Sequence, residues 1–298
     1  MTTRQEKLPL RITETIARFG GPFALALVRA AHRFNRDDGW AIASHIALSG
    51  IMALFPFLIF CTSLAAFFNL GSFPSELVQL VFDTLPDAVA APLADQLHTV
   101  LTIPRGDVLT LGAITAVFFA SNGIEALRLG LNRAYRVQER RNFIILRLHS
   151  IFFVMLGAIM IATVTVLIVL MPLALDIARK YAPTMYEQID RIDFWRLMVS
   201  SAILIFALVA SHKWLPAGRR SFAEIAPGTI FTLAVWLAAA IGFSAYLRSF
   251  ADYVSTYAGM ASIVIALVFF YVMAAIFMVG AEINSCLIAE REEPELPI

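Results

Sequence analysis

The stretch SNGIEALRLGLNRAY, residues 121–135, holds the densest set of chemically capable groups in this 298-residue chain. Ser121, Glu125, Arg128 and Asn132 follow one another at spacings of four, three and four, so a hydroxyl, a carboxylate, a guanidinium and an amide share one helix face. Asn122 stands beside them. Such a face can receive a polar headgroup. The plainer alternative is that Glu125 and Arg128 pair with each other at i,i+3. His45, Ser49 and Pro56 share a second face, where the proline frees a backbone carbonyl and invites a kink. Glu282 and Asn284 end the last apolar run, while His149 and His212 stand at the edges of two others. These polar groups gather toward one end of the apolar runs, as a hydrated pocket would require, or as hydrogen-bonded glue between helices would.

No catalytic residue, metal site or cofactor is expected. The chain has no Gly-rich phosphate loop, no His/Cys/Asp cluster at metal spacing and no G-x-S-x-G elbow. Cys61 and Cys286 lie far apart in separate apolar runs and read as small core residues.

The elements that must carry these groups are transmembrane helices. Hydrophobic residues make up 59% of the chain and charged residues 15%, too apolar a balance for one soluble domain to bury. A bilayer core of ~30 Å needs ~20 apolar residues in a helix. Six runs meet or approach that length, at about 40–68, 108–127, 151–175, 194–211, 225–247 and 258–281. The expected fold is therefore all-α, a bundle of about six transmembrane helices spread over 39–287. It follows a basic, amphipathic N-terminal segment, 1–38, and precedes an acidic tail, 288–298. The N-terminal segment is too long and too charged for a signal peptide. Its FALALVRAAHRF, 23–34, suits either an interfacial helix or a plain extension of the first span.

Lys and Arg fall unevenly: seventeen on the side of the termini and the 128–147 and 212–223 connections, six on the other. The rich side is expected to be cytoplasmic, with both termini in the cytoplasm of a bacterial inner membrane. That leaves two outer loops, roughly 69–107 and 176–193. The first carries Pro74-Ser75-Glu76 ahead of LVQLVFDTL and then APLADQLHTVL, a pattern of short amphipathic helices. Small residues four apart, Gly112, Ala116 and Ala120, then Ala234, Ala238 and Gly242, suit close helix contacts. Trp40 and Trp214 at one level and Trp195, Tyr246, Tyr253 and Tyr257 at the other read as an aromatic belt.

From Trp40 to the end of the sixth run the chain carries LFPFLIF with Pro56, EALRLGLNRAY with Asn132 and Tyr135, and KWLPAGRRSFAEIAPGTIFTLAVW with Pro216, Pro227, Gly228 and Trp236. FSAYL with Tyr246, TYAGMAS with Tyr257 and Gly259, and GAEIN with Gly280, Glu282 and Asn284 follow. Taken together, this pattern resembles the YihY/BrkB family of bacterial inner-membrane proteins. Leu48 and Ala53 depart from it, standing where that family commonly has a tyrosine and a serine. The resemblance implies an envelope-associated membrane protein linked to lipid or lipopolysaccharide-precursor movement. Its old label, ribonuclease BN, finds no metal-binding constellation in this sequence, and topology accounts for the basic residues, so no nucleic acid partner is expected. Two functions follow as expectations. The chain is a transporter or flippase in which Glu125, Arg128, Glu282, His45 and Asn132 receive the headgroup of a lipid or other amphiphile. Alternatively, it is an envelope scaffold that docks a periplasmic or membrane partner through 69–107.

Overall fold

A computed structural model describes residues 10–67, 106–171, 186–249 and 258–292, and every regular element among them is a helix. In chain order these are α1 (Leu10–Arg36), α2 (Gly39–Phe67), α3 (Gly106–Ala134), α4 (Phe143–Thr165), α5 (Tyr186–Trp214), α6 (Phe222–Ser249) and α7 (Ala258–Glu292). A π-helical turn, Val166–Leu170, continues α4. Among the described residues, five stretches are long and apolar enough to cross a membrane: Thr110–Ala134, Phe143–Ile168, Phe194–Trp214, Phe222–Tyr246 and Val264–Arg291. Gly39–Leu54 of α2 is a shorter apolar stretch.

The helices outrun the apolar runs because a helix continues after its side chains become polar. α3 extends through Arg128, Asn132 and Arg133, seven residues past the expected end at 127. α5 starts at Tyr186, so the second expected outer loop, 176–193, is helical in its last part. α7 runs to Glu292 and takes up the first residues of the expected acidic tail. At 35 residues, and ~1.5 Å per residue, α7 is much longer than the ~30 Å a hydrocarbon core needs. The outer loop 69–107, apart from its last two residues, and Tyr253 and Tyr257 lie outside the described residues.

α1 is not an extension of α2. Asp37 and Asp38 break the rod, and Asp38 takes a left-handed conformation (φ 56°) that turns the chain into α2. Phe34 packs edge-on against Trp40 across this turn. α1 then lies on α7, burying Ala26 and Ala30 against Ile283 and Cys286, and Arg29 pairs with Glu290. α3 ends in a Schellman motif: Val137 N–H donates to Asn132 O and Arg136 N–H to Arg133 O, with Arg136 at φ 56°. Its left-handed arginine is held by an ion pair to Asp37 (2.8 Å). Ser221 and Glu224 form a capping box that starts α6.

α7 is the central helix, packed against α6, α2 and α1, while α2 runs along α3. The contacts are made by small residues, as expected where no water drives helices together. Gly228 on α6 meets Gly280 on α7 so closely that a Cβ added at Gly228 would lie 2.0 Å from the Gly280 carbonyl oxygen. Gly112 and Ala116 of the first expected small-residue stripe are buried, Ala120 partly so. Among the described residues the second stripe makes no close helix contact: Ala234, Ala238 and Gly242 are exposed, and a Cβ on Gly242 would meet nothing within 4 Å. The close approach of α6 to α7 falls earlier along α6, at Gly228, because that end buries backbone and threonine against α7. The outward faces of α4 and α5 are large and apolar, including Phe152, Ile159, Leu197 and Phe206, which suits hydrocarbon solvent.

Candidate functional site

The sequence-predicted polar residues separate into two places. Five of them, His45 and Ser49 from α2 and Asn122, Glu125 and Arg128 from α3, line one cleft of about 440 Å³ with Met52, Phe119 and Leu129. It opens on the outer surface of the bundle, since His45, Met52 and Leu129 are exposed. The α3 face was legible in its spacing; its partner was not. Glu125 pairs with Arg147 of α4 (3.0 Å), so the expected i,i+3 pairing with Arg128 is not its ion pair. The same Arg147 nitrogen donates to Asn122 Oδ1 (2.8 Å), and the guanidinium stands over the Phe118 ring. Arg147 is therefore a cleft-organising residue that sequence reasoning left in a connection. Its only signal was a lone charge in an apolar helix start. Arg128, freed of Glu125, has a buried Nη1 with no hydrogen-bond partner among the described residues.

The other five do not reach the cleft. Pro56 lies farther along α2, half-buried and inside a continuous helix. Ser121 is fully buried and returns its hydroxyl to the Phe118 carbonyl (2.8 Å), a helix-internal bond. Glu282 is 3% exposed on the inner face of α7 and its Oε2 finds no partner among the described residues. Asn132 and Asn284 belong to a buried knot at the end where the connections gather. The Asn284 amide donates to Tyr135 Oη (3.1 Å) while its Oδ1 accepts from Gly228 N–H (2.6 Å), and Tyr135 Oη contacts His212 Nδ1 (3.1 Å). Because Tyr135 Oη accepts from Asn284, its own proton is available to His212 Nδ1.

Asn132 ties two connections together. Its Oδ1 accepts from Ala217 N–H (2.7 Å) and its amide donates to Glu139 (3.1 Å). Glu139 also takes two bonds from the Arg141 guanidinium (2.8 Å each), which hold its carboxyl down to about 2 from an ordinary 4.5. Arg220 lies over the Tyr135 ring (3.9 Å) and donates to Ala217 O, and burial pulls its pKa down from the ordinary guanidinium range. The knot thus ties one end of the bundle together through hydrogen bonds, as the glue alternative of the sequence reading has it, and holds Asn132 and Asn284 away from the cleft, while His212 Nε2 and Arg220 Nη1 are buried with no hydrogen-bond partner among the described residues. On its outer side the 135–142 and 215–221 connections form an open depression of about 810 Å³ lined by Arg136, Arg140, Arg141, Lys213 and Trp214. Among the described residues no group of three or more His, Cys, Asp or Glu side chains could hold a metal.

Helices of this length and outward apolarity, with polar groups turned inward or into one cleft, define a polytopic all-α membrane protein. The chain belongs to the BrkB family: the family model described as Virulence factor BrkB matches residues 30–297. It is 29% identical to the ribonuclease-like protein YfkH of Bacillus subtilis over 266 residues, covering 88% of this chain and 95% of that one. It is 24% identical to UPF0761 membrane proteins of Rhodospirillum centenum (89% of this chain, 58% of that one) and Vibrio vulnificus (87% and 81%). No solved structure matches it.

Proposed function

We propose that this chain is a carrier that moves a lipid or other amphiphile across a bacterial inner membrane, rather than an enzyme. The observation that carries the reading is the cleft between α2 and α3. A charged, hydrogen-bonding floor of Asn122, Glu125 and Arg128 lies beside exposed apolar residues, Met52 and Leu129. Ionisable groups along a membrane span are costly and persist where they serve a pathway or a partner. A cleft open sideways lets a headgroup enter while its tails stay in hydrocarbon. With no nucleotide-binding loop in the sequence, movement runs down a gradient or through a partner. The end bearing the 135–142 and 215–221 connections faces the cytoplasm on this reading, by its excess of Arg and Lys. The word ribonuclease in a relative's name describes that relative.

The test is transfer of fluorescent phospholipid between leaflets of liposomes holding the purified chain. Glu125→Gln frees Arg147 and should slow transfer ~10-fold or more, the scale of losing one partner of a part-buried ion pair. Circular dichroism and gel filtration should show the variant folded. Transfer no faster than in empty vesicles, or equal rates in wild type and folded variant, would reject the reading.

A further inference from the structure

Arg128 lines the α3 side of the cleft beside Glu125, and the carboxylates around it are already taken. Glu125 is bound by Arg147 and Glu139 by Arg141. These are the acidic groups whose charge acts on Arg128, together with the opposing charge of Arg141. Arg128 is left as the uncompensated cation, and its Nη1 is buried without a hydrogen-bond partner among the described residues. A buried guanidinium donor left unmade costs more than a made bond returns, so the arrangement is incomplete as it stands. What would complete it carries one negative charge and oxygen acceptors. Asn122, His45 and Ser49 line the same cleft and add hydrogen-bonding groups.

From this geometry we infer that the cleft is a binding site for a monoanionic phosphodiester headgroup, with Arg128 as its charge partner and the attached acyl chains lying against Met52 and Leu129. Arginine suits phosphate oxygens because its planar fork donates two parallel bonds. Arg147 is not the ligand's cation, because Asn122, Glu125 and the Phe118 ring already hold it. The inference rests on the carrier reading for its biological sense but not for its measurement. Binding is read at equilibrium, so a chain that binds without moving lipid would sink the carrier and leave the site standing.

The experiment titrates the purified full chain in neutral detergent with dihexanoyl phosphatidylglycerol, dihexanoyl phosphatidylcholine and tail-free glycerophosphoglycerol, following broadening of the phosphorus resonance. Phosphatidylglycerol should bind about tenfold or more tighter than phosphatidylcholine, as a charge-assisted bond to an anion predicts. Arg128→Gln should abolish that preference and Arg128→Lys should keep part of it. Asn122→Asp, isosteric and one charge more negative, should abolish it too, and it decides the matter if Arg128→Gln fails to fold. Equal affinity for the two lipids, or a preference unchanged in folded Asn122→Asp, would overturn the site. Tail-free headgroup binding as tightly as the lipid would overturn a lipid ligand in favour of a soluble phosphodiester.

Discussion

At Gly228 one missing methyl group decides whether two helices can meet. Its added Cβ would stand 2.0 Å from a backbone oxygen and 2.6 Å from Asn284 Oδ1, neither of which can move without separating α6 from α7 or breaking the Gly228–Asn284 bond. Gly228→Ala should therefore destabilise the folded chain by about 3 kcal/mol, at the upper end of ordinary overpacking. Gly242→Ala, in open space on the same helix, should be neutral or gain up to ~1 kcal/mol of helix propensity. Thermal unfolding in one detergent compares the two directly, and equal melting temperatures would contradict the packing described. The residue types involved were visible in APGTIF and GAEIN, but a glycine looks the same in a sequence whether its missing side chain faces backbone or lipid.

Among the elements, the two connections at the polar end behave as one unit because Asn132, Glu139 and Arg141 stitch them, with Arg141 also reaching Leu215 O. The Glu139 carboxyl is depressed in the folded chain, so the ionised form is the one folding favours. Its contribution to stability is complete above about pH 4.5 and is lost as pH falls toward about 2. The melting temperature of the wild type should accordingly drop more steeply below pH 4.5 than that of Glu139→Gln, and parallel pH profiles would remove Glu139 from this role. The helix turn at Asp37 and Asp38 is the other element-scale device. It lets α1 fold back on α7 instead of lengthening α2, a choice that amphipathic periodicity left open because both arrangements place Ala26 and Ala30 on the same face.

Over the whole molecule, arginines and lysines bracket the end that carries the α1–α2 turn, the 135–142 and 215–221 connections and the end of α7. If that end is cytoplasmic, cysteines placed at the exposed Gln138 and Arg291, with Cys61 and Cys286 replaced by alanine, should resist a membrane-impermeant maleimide in intact cells and react after permeabilisation. A cysteine at exposed Trp195 should react without it. The reverse pattern would invert the topology, and with it the leaflet from which the cleft is loaded.

Composition and charge placement were enough to establish a polytopic helical membrane protein, and the family followed from motifs spread along most of the chain. Both are properties of local runs of residues, which is why a sequence carries them. Which polar groups meet was decided in three dimensions. Asn132 and Arg128 lie four residues apart on one face, yet Asn132 bonds Glu139 and Ala217 while Arg128 lines the cleft. Glu125 lies three residues from Arg128 and pairs instead with Arg147 from the next helix. Spacing along one helix sets a direction, but the partner at the end of that direction is supplied by another helix, and only the packing of the bundle determines which one arrives there.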